Sequence, residues 1–299
     1  MNAGRKSKRV QVIFSLFMVV MFSISLFAQD AAQSQPQPDP KVEAQKMFNE
    51  GLTQLKQGKT DESIKTLNNA VTKDPDLAVA YYVLGIAYKR NNNLDKAEQM
   101  FKKAIEKDDT MDKAYNALGL LYSSQGQYTD AINTFKAALG IDPNDAKANF
   151  GIGYAYIKMK NFGNAIQYFQ KAVETQDDYT LAWENLGVAL FQERKYSLAV
   201  DAFQNAIKYQ NTRAEKGDIY LRLGDAYNKL NNDSEAIEAY QNAIDMATKS
   251  YIKGAAHFGL GEIYKRQGNN QQAITHFEQA SRDRNWKQSA MYQLDDLKQ

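Results

Sequence analysis

Residues 112–145 read DKAYNALGLLYSSQGQYTDAINTFKAALGIDPND, and the spacing inside this stretch decides the fold. Ala114, Tyr115, Leu118, Gly119 and Tyr122 recur every three or four residues, which puts them on one face of a helix. A polar break follows from Ser123 to Tyr128, with Gly126 inside it. Ala131, Ile132, Phe135, Ala138 and Leu139 then mark a second amphipathic helix. Asp142-Pro143-Asn144-Asp145 closes it with a proline and short polar residues, the chemistry of a fresh helix start.

The same pattern runs along most of the chain. Gly51, Gly85, Gly119, Gly153, Gly187, Gly224 and Gly261 are spaced 34, 34, 34, 34, 37 and 37 residues apart. Nineteen residues after each comes an alanine, from Ala70 through Ala104, Ala138, Ala172, Ala206 and Ala243 to Ala280. A large residue stands three places before each alanine: Leu67, Phe101, Phe135, Phe169, Phe203, Tyr240 and Phe277. Tyr88, Tyr122, Tyr156, Leu190, Tyr227 and Tyr264 form a further register three residues after the glycines. A glycine inside a helix costs about 1 kcal/mol relative to alanine. Seven in register therefore imply close packing, each making room for the bulky residue of the paired helix. The small alanine makes room in turn for the next copy.

The 34-residue unit resembles the tetratricopeptide repeat, whose pattern runs large residue, leucine-glycine, tyrosine, alanine, aromatic, alanine, proline. The fifth copy carries Trp183, Leu186-Gly187, Ala199, Phe203 and Ala206, and the third supplies Tyr122 and Pro143. The resemblance spans residues 44–287. It implies an all-α, right-handed superhelix (α-solenoid) of seven helix-turn-helix repeats, near 44–77, 78–111, 112–145, 146–179, 180–213, 217–250 and 254–287. Trp286, Ala290, Leu294 and Leu297 add a capping helix over 286–298, completing a domain of 41–299. The first copy departs from the pattern, with Gln54 in the tyrosine place and Glu50 before its glycine. The two 37-residue junctions, near Tyr209–Lys216 and Met246–Lys253, each carry three extra residues. That is almost one helical turn, so longer helices and a local change of pitch are expected there.

The chain starts with a different signal. Arg5, Lys6, Lys8 and Arg9 precede a nearly unbroken apolar run from Val10 to Ala28. This is the order of a secretory signal, basic then apolar then a small residue at the cut site. The run is 19 residues long, close to the ~20 that span a bilayer, and Leu26 is bulky for its place before the cut. Residues 1–28 thus read as a signal peptide or as an N-terminal membrane anchor. Both destine the body for export, to the periplasm or cell envelope, with residues 10–28 its membrane contact if they are retained. Residues 29–40, QDAAQSQPQPDP, read as a disordered linker.

Charge and composition narrow the function. Without residues 1–28 the chain holds 33 basic and 35 acidic residues, a slightly acidic body with no general attraction for nucleic acid. The absence of cysteine excludes disulfides, thiolate metal sites and thiol catalysis. No metal-ligand spacing and no nucleophile-base set stands out, so neither a cofactor nor an enzymatic role is expected. His257 takes the large packing place of the seventh copy, and Gly151-x-Gly153 and Gly259-x-Gly261 lie mid-helix in register with no preceding strand. Both read as packing, and Asp295-Asp296 reads as a solvated helix face.

What remains is binding. In the resembled fold, first helices line a concave groove. By register the inward places are Phe48, Leu52, Tyr82, Ile86, Asn116, Leu120, Phe150 and Tyr154 in copies one to four. Glu184, Val188, Asp218, Asp225 and Glu262 follow, with Arg222 and Arg266 alongside. The groove would change from apolar and aromatic to charged, suiting an extended or helical, partly apolar peptide of a partner protein. Some of these rings would instead pack between neighbouring helices. The carboxylate clamp known in the resembled family falls on Phe48 and Leu52, Tyr82 and Ile86, Asn116 and Leu120. None is the required lysine-asparagine pair, so capture of chaperone tails is not implied. A glycan- or peptidoglycan-binding envelope protein, using tyrosines and asparagines against sugars, is the rival reading, and a small hydrolase or transferase using the groove as an active site is a second rival.

Overall fold

A computed structural model of the chain describes residues 39–297. The leader and nearly all of the linker lie outside the described residues. Among the described residues there are fifteen α-helices and no strand, and no helix is long and apolar enough to cross a membrane. The described residues divide into two compact units, 39–77 and 78–297.

The smaller unit is one helix pair, α1 (Pro40–Lys56) and α2 (Thr60–Lys73). Asp39 and Pro40, assigned to the linker by sequence, start the first helix instead. The Asp39 carboxylate accepts from the Lys41 amide at 2.9 Å, and Pro40 occupies a first-turn place where its missing N–H costs nothing. Gly51 lies against Leu67, and the buried Ser63 hydroxyl donates to the Gly51 carbonyl at 2.7 Å.

The larger unit holds six more pairs. They are α3 (Ala78–Arg90) with α4 (Leu94–Lys107), α5 (Asp112–Ser124) with α6 (Tyr128–Ile141), and α7 (Ala146–Lys158) with α8 (Phe162–Thr175). Then come α9 (Thr180–Gln192) with α10 (Tyr196–Tyr209), α11 (Arg213–Lys229) with α12 (Asp233–Met246), and α13 (Ser250–Arg266) with α14 (Asn270–Ala280). A last helix, α15 (Lys287–Leu297), follows alone. Within this unit each second helix packs on the first helix that follows it, α14 on α15, and successive first helices from α5 to α13 also touch.

The register glycines do what their spacing requires. A Cβ on Gly85, Gly119, Gly153, Gly187, Gly224 or Gly261 would fall 2.5–2.8 Å from the ring sixteen residues on. Those rings, Phe101, Phe135, Phe169, Phe203, Tyr240 and Phe277, are at most 1 % exposed, and all seven register alanines are fully buried. Gly151 and Gly259, on the following first helices, also press on Phe135 and Tyr240, where a Cβ would fall no more than 2.5 Å from the ring. Phe135 and Tyr240 are thus each held between glycines of two successive first helices, and the two Gly-x-Gly pairs are packing devices.

Every internal turn uses one left-handed residue, which lets the first helix end and the second begin at once. Gly126 and Gly268 supply it without steric cost at φ +77° and +73°. Asn92, Lys160, Arg194 and Asn231 take the same conformation elsewhere. The next residue's N–H reaches back five residues to close the turn, as in Asn161 to Tyr156 at 2.9 Å. Asn93, Asn161 and Asn269 then cap the second helices through their side chains.

The three-residue insertions lengthen first helices, as expected. α11 and α13 have 17 residues, against 13 in α3, α5, α7 and α9. The added turn lies over the exit of its own second helix, where Gly217 meets Ala247 and Gly254 meets Asp283 and Trp286. The capping helix also forms. Ala290 and Leu294 are buried with Ala273, Phe277 and Ala280, and the Trp286 ring packs at a tilt on Phe258 at 5.0 Å while its indole N–H donates to the Tyr251 carbonyl.

Candidate binding face

The residues chosen by register sit on the first helices, but they are not equally free. In the smaller unit Phe48 and Leu52 are half-buried one turn apart on α1.

On α3, Tyr82 and Ile86 are half-buried, and the Tyr82 ring tilts against Phe101 at 6.1 Å. On α5, Leu120 is the most open apolar place, 49 % exposed. Asn116 beside it is committed to the frame: its amide donates to Asp145, whose other oxygen accepts from the Lys147 and Ala148 amides and caps α7. The Asn116 Oδ1 is buried with no hydrogen-bond partner among the described residues. Tyr82, Asn116 and Leu120 line one cleft of about 580 Å³, rimmed by Asp112, Lys113 and Lys147.

Phe150 and Tyr154 on α7 are more inward than register suggests. Phe150 packs against Phe169 at 5.7 Å and Tyr179 at 5.0 Å, so its ring largely belongs to the core. Tyr154 stacks near it and carries Lys158 over its ring at 5.0 Å, leaving part of the ring open.

From α9 onward the face becomes charged. Glu184 is half-buried, its carboxyl raised by burial although the Arg222 guanidinium stands 3.6 Å away. Asp218 pairs with Lys249 at 3.2 Å. Val188 and Asp225 line a cavity of about 190 Å³ with Phe191, Gln192, Phe203 and Arg222. Glu262 is exposed and lines a polar cleft of about 590 Å³ with Asn228, Lys229, Lys265, Arg266 and Gln293. Arg266 is held by Asp233 and Asn228, and Lys265 by Gln293 and Asp296. The face therefore carries three separate clefts: one holds Tyr82 and Leu120 inside a charged rim, and two are lined by charged side chains.

Two features escaped sequence reading. Phe191 walls the Asp225 cavity one turn after Val188, in the register place that Lys89, Ser123 and Asn228 fill in other copies; stepping the ladder on by three would have found it. The chain's two histidines face each other. His257 and His276 have Nδ1 atoms 3.1 Å apart and ring centroids 5.4 Å apart, so the nitrogens lie nearly on the line joining the rings. That is the geometry of one neutral imidazole donating to another, and His276 also stacks on Tyr264. Among the described residues there is no group of three or more His, Cys, Asp or Glu that could hold a metal ion.

Comparison with known proteins agrees with the repeat geometry. The C-terminal ARM domain model of tetratricopeptide repeat protein 21 matches residues 32–181, half of the chain. Two tetratricopeptide repeat models match residues 159–211 and 217–284. No curated protein matches. Among solved structures, the C-terminal part of a tetratricopeptide-repeat protein from Cytophaga hutchinsonii superposes with a TM-score of 0.68 at 18 % identity, covering 82 % of this chain and 98 % of that one. One from Parabacteroides merdae gives 0.57 at 17 % identity, covering 86 % and 100 %. YrrB, described as having an unusual peptide-binding site, gives 0.55 at 24 % identity, covering 64 % and 96 %. At such identities the likeness is one of fold.

Proposed function

Since the chain belongs to the tetratricopeptide-repeat family, whose members typically serve as protein-protein interaction scaffolds, we propose that it is a non-enzymatic adaptor of the cell envelope. It holds a peptide or helix of a partner protein on its first-helix face. The observation that carries this reading is the division of labour between helices. The second-helix rings are consumed by packing, whereas Leu120, Val188 and Glu262 remain accessible on first helices and line clefts, and Tyr154 stays partly open. An open apolar stretch followed by a charged one suits a segment with apolar residues toward one end. YrrB's peptide-binding site lends support by analogy of fold.

A photo-crosslinking residue at Leu120, compared with one at Leu198 on the second helix α10, tests the face. Both places are about half exposed, at 49 % and 50 %. The reading expects a defined envelope protein captured from position 120 and not from 198, and a synthetic peptide of the captured segment that binds. Equal capture from both would contradict it. The envelope assignment rests on the four bases, the apolar run and Ala28. Amino-terminal sequencing of the native protein should find a start near Gln29, or a membrane-bound start at Met1 for the anchor; soluble cytoplasmic protein starting at Met1 would overturn it.

A further inference from the structure

The cavity between α9 and α11 has a floor and walls of Val188, Phe191 and Phe203, with Gln192, Arg222 and Asp225 completing it. Its charges are unevenly matched. Arg222 is taken up by Glu184 at 3.6 Å, and no described residue forms an ion pair with Asp225. Asp225 Oδ1 accepts a hydrogen bond from the Tyr240 hydroxyl at 2.8 Å, and Oδ2 takes none from a described residue. Burial raises this carboxyl to about 6, outweighing the lowering by Tyr240, Arg222 and Lys229. Glu184, Arg222 and Asp225 together leave one negative charge in excess. An ionised carboxylate among apolar walls is costly until a cation reaches it.

We propose that this cavity receives a lysine side chain of the partner segment, its ammonium meeting Asp225 Oδ2 and its methylene stem lying against Val188 and Phe191. The choice of lysine over arginine follows from the oxygens. A guanidinium fork takes both carboxylate oxygens, and Oδ1 is already engaged; an ammonium is a point charge that needs one. The aliphatic stem buries on the apolar walls while the charge is neutralised. This inference rests on the first-helix face being the protein-binding surface, and it names what the partner brings to the charged end of that face.

The test is an NMR titration of the isotope-labelled full chain with Nα-acetyl-lysine methylamide and its neutral isostere, Nα-acetyl-norleucine methylamide. At about pH 7.5, where Asp225 is ionised, the lysine probe should shift the amides of Val188, Gln192, Arg222 and Asp225 at several-fold lower concentration than norleucine. Asp225→Asn, which still offers an oxygen to Tyr240, should erase the preference. Val188→Phe, which fills the cavity and leaves the charges, should erase the response. Lowering the pH to about 5 should shrink the preference as Asp225 takes up a proton. An equal response to both probes, no response, or a preference that survives in folded Asp225→Asn would overturn the lysine site. Should crosslinking from Leu120 identify a segment whose binding ignores both Asp225→Asn and the loss of its lysines, the lysine site falls and the face reading stands.

Discussion

At Gly153 two residue-scale effects oppose each other, and their magnitudes decide the sign. Alanine there gains about 1 kcal/mol of helix propensity. Its Cβ, however, would lie 2.8 Å from two atoms of the fully buried Phe169 ring, which has no free space to retreat into. Overpacking of this kind costs about 1–3 kcal/mol, so Gly153→Ala should lower stability, while the same change at Gly140, which meets nothing within 4 Å, should raise it. Chemical denaturation of the two variants checks this, and stabilisation by both would mean the ring yields freely. The histidine pair gives a pH-dependent counterpart. Burial, His276, Arg282 and Lys253 hold His257 down at about 4, and burial lowers His276. Arg282 and Lys253 approach from the end of α14 and from α13, and Tyr264 of α13 covers His276. Because the folded values lie below the ordinary 6.5, the unfolded chain binds more protons between them. The stability is therefore complete above about 6.5 and is lost as pH falls toward 4. Amide protection in α13 and α14, taken relative to the intrinsic exchange rate at each pH, should fall between about pH 7 and pH 5, and His276→Phe should flatten that dependence. An unchanged slope in the variant would show that the pair does not carry it.

At the scale of elements, the helices and their pairing were legible because the deciding contacts repeat. Gly51 to Leu67 and Gly261 to Phe277 are the same contact made seven times, and a repeated contact leaves a period in the sequence. The extra turns of α11 and α13 were legible for the same reason. The contacts that set the binding face occur once each. Asn116 meets Asp145 29 residues away, and His257 meets His276 across one pair. Register places a residue on a helix face but does not say which unique neighbour covers it. That is why Phe150 read as groove and packs on Tyr179, whereas Leu120 is open. The final helix allows an element-level prediction. Removing residues 286–299 uncovers the side of α14 that Leu294 and Trp286 shield, and fully burying such a side chain contributes ~1.5–3 kcal/mol. Coupling in such arrays runs between neighbours, so amide protection should fall most in α13 and α14 and fade toward α9. Uniform protection in the truncated chain would mean that α15 caps nothing.

Across the whole molecule, the sequence separates residues that build the array from residues left over on its first helices. The frame set is Phe101, Phe135 and Phe169, all at most 1 % exposed; the face set is Tyr82, Leu120 and Tyr154, each still reached by solvent. Truncating a buried ring costs about 3–5 kcal/mol, and three such losses in adjacent pairs exceed what a chain of this kind can absorb. Truncating the face set removes less buried surface and leaves the glycine-ring contacts whole. The most direct measurement compares the two triple-alanine variants with the parent chain for helix content, thermal unfolding and capture of the partner crosslinked from position 120. The face variant should keep most of its helix and unfold cooperatively yet lose the partner, and the frame variant should lose its fold. A face variant that melts like the frame variant, or that stays folded and binds at full strength, would contradict the assignment of binding to the first-helix face.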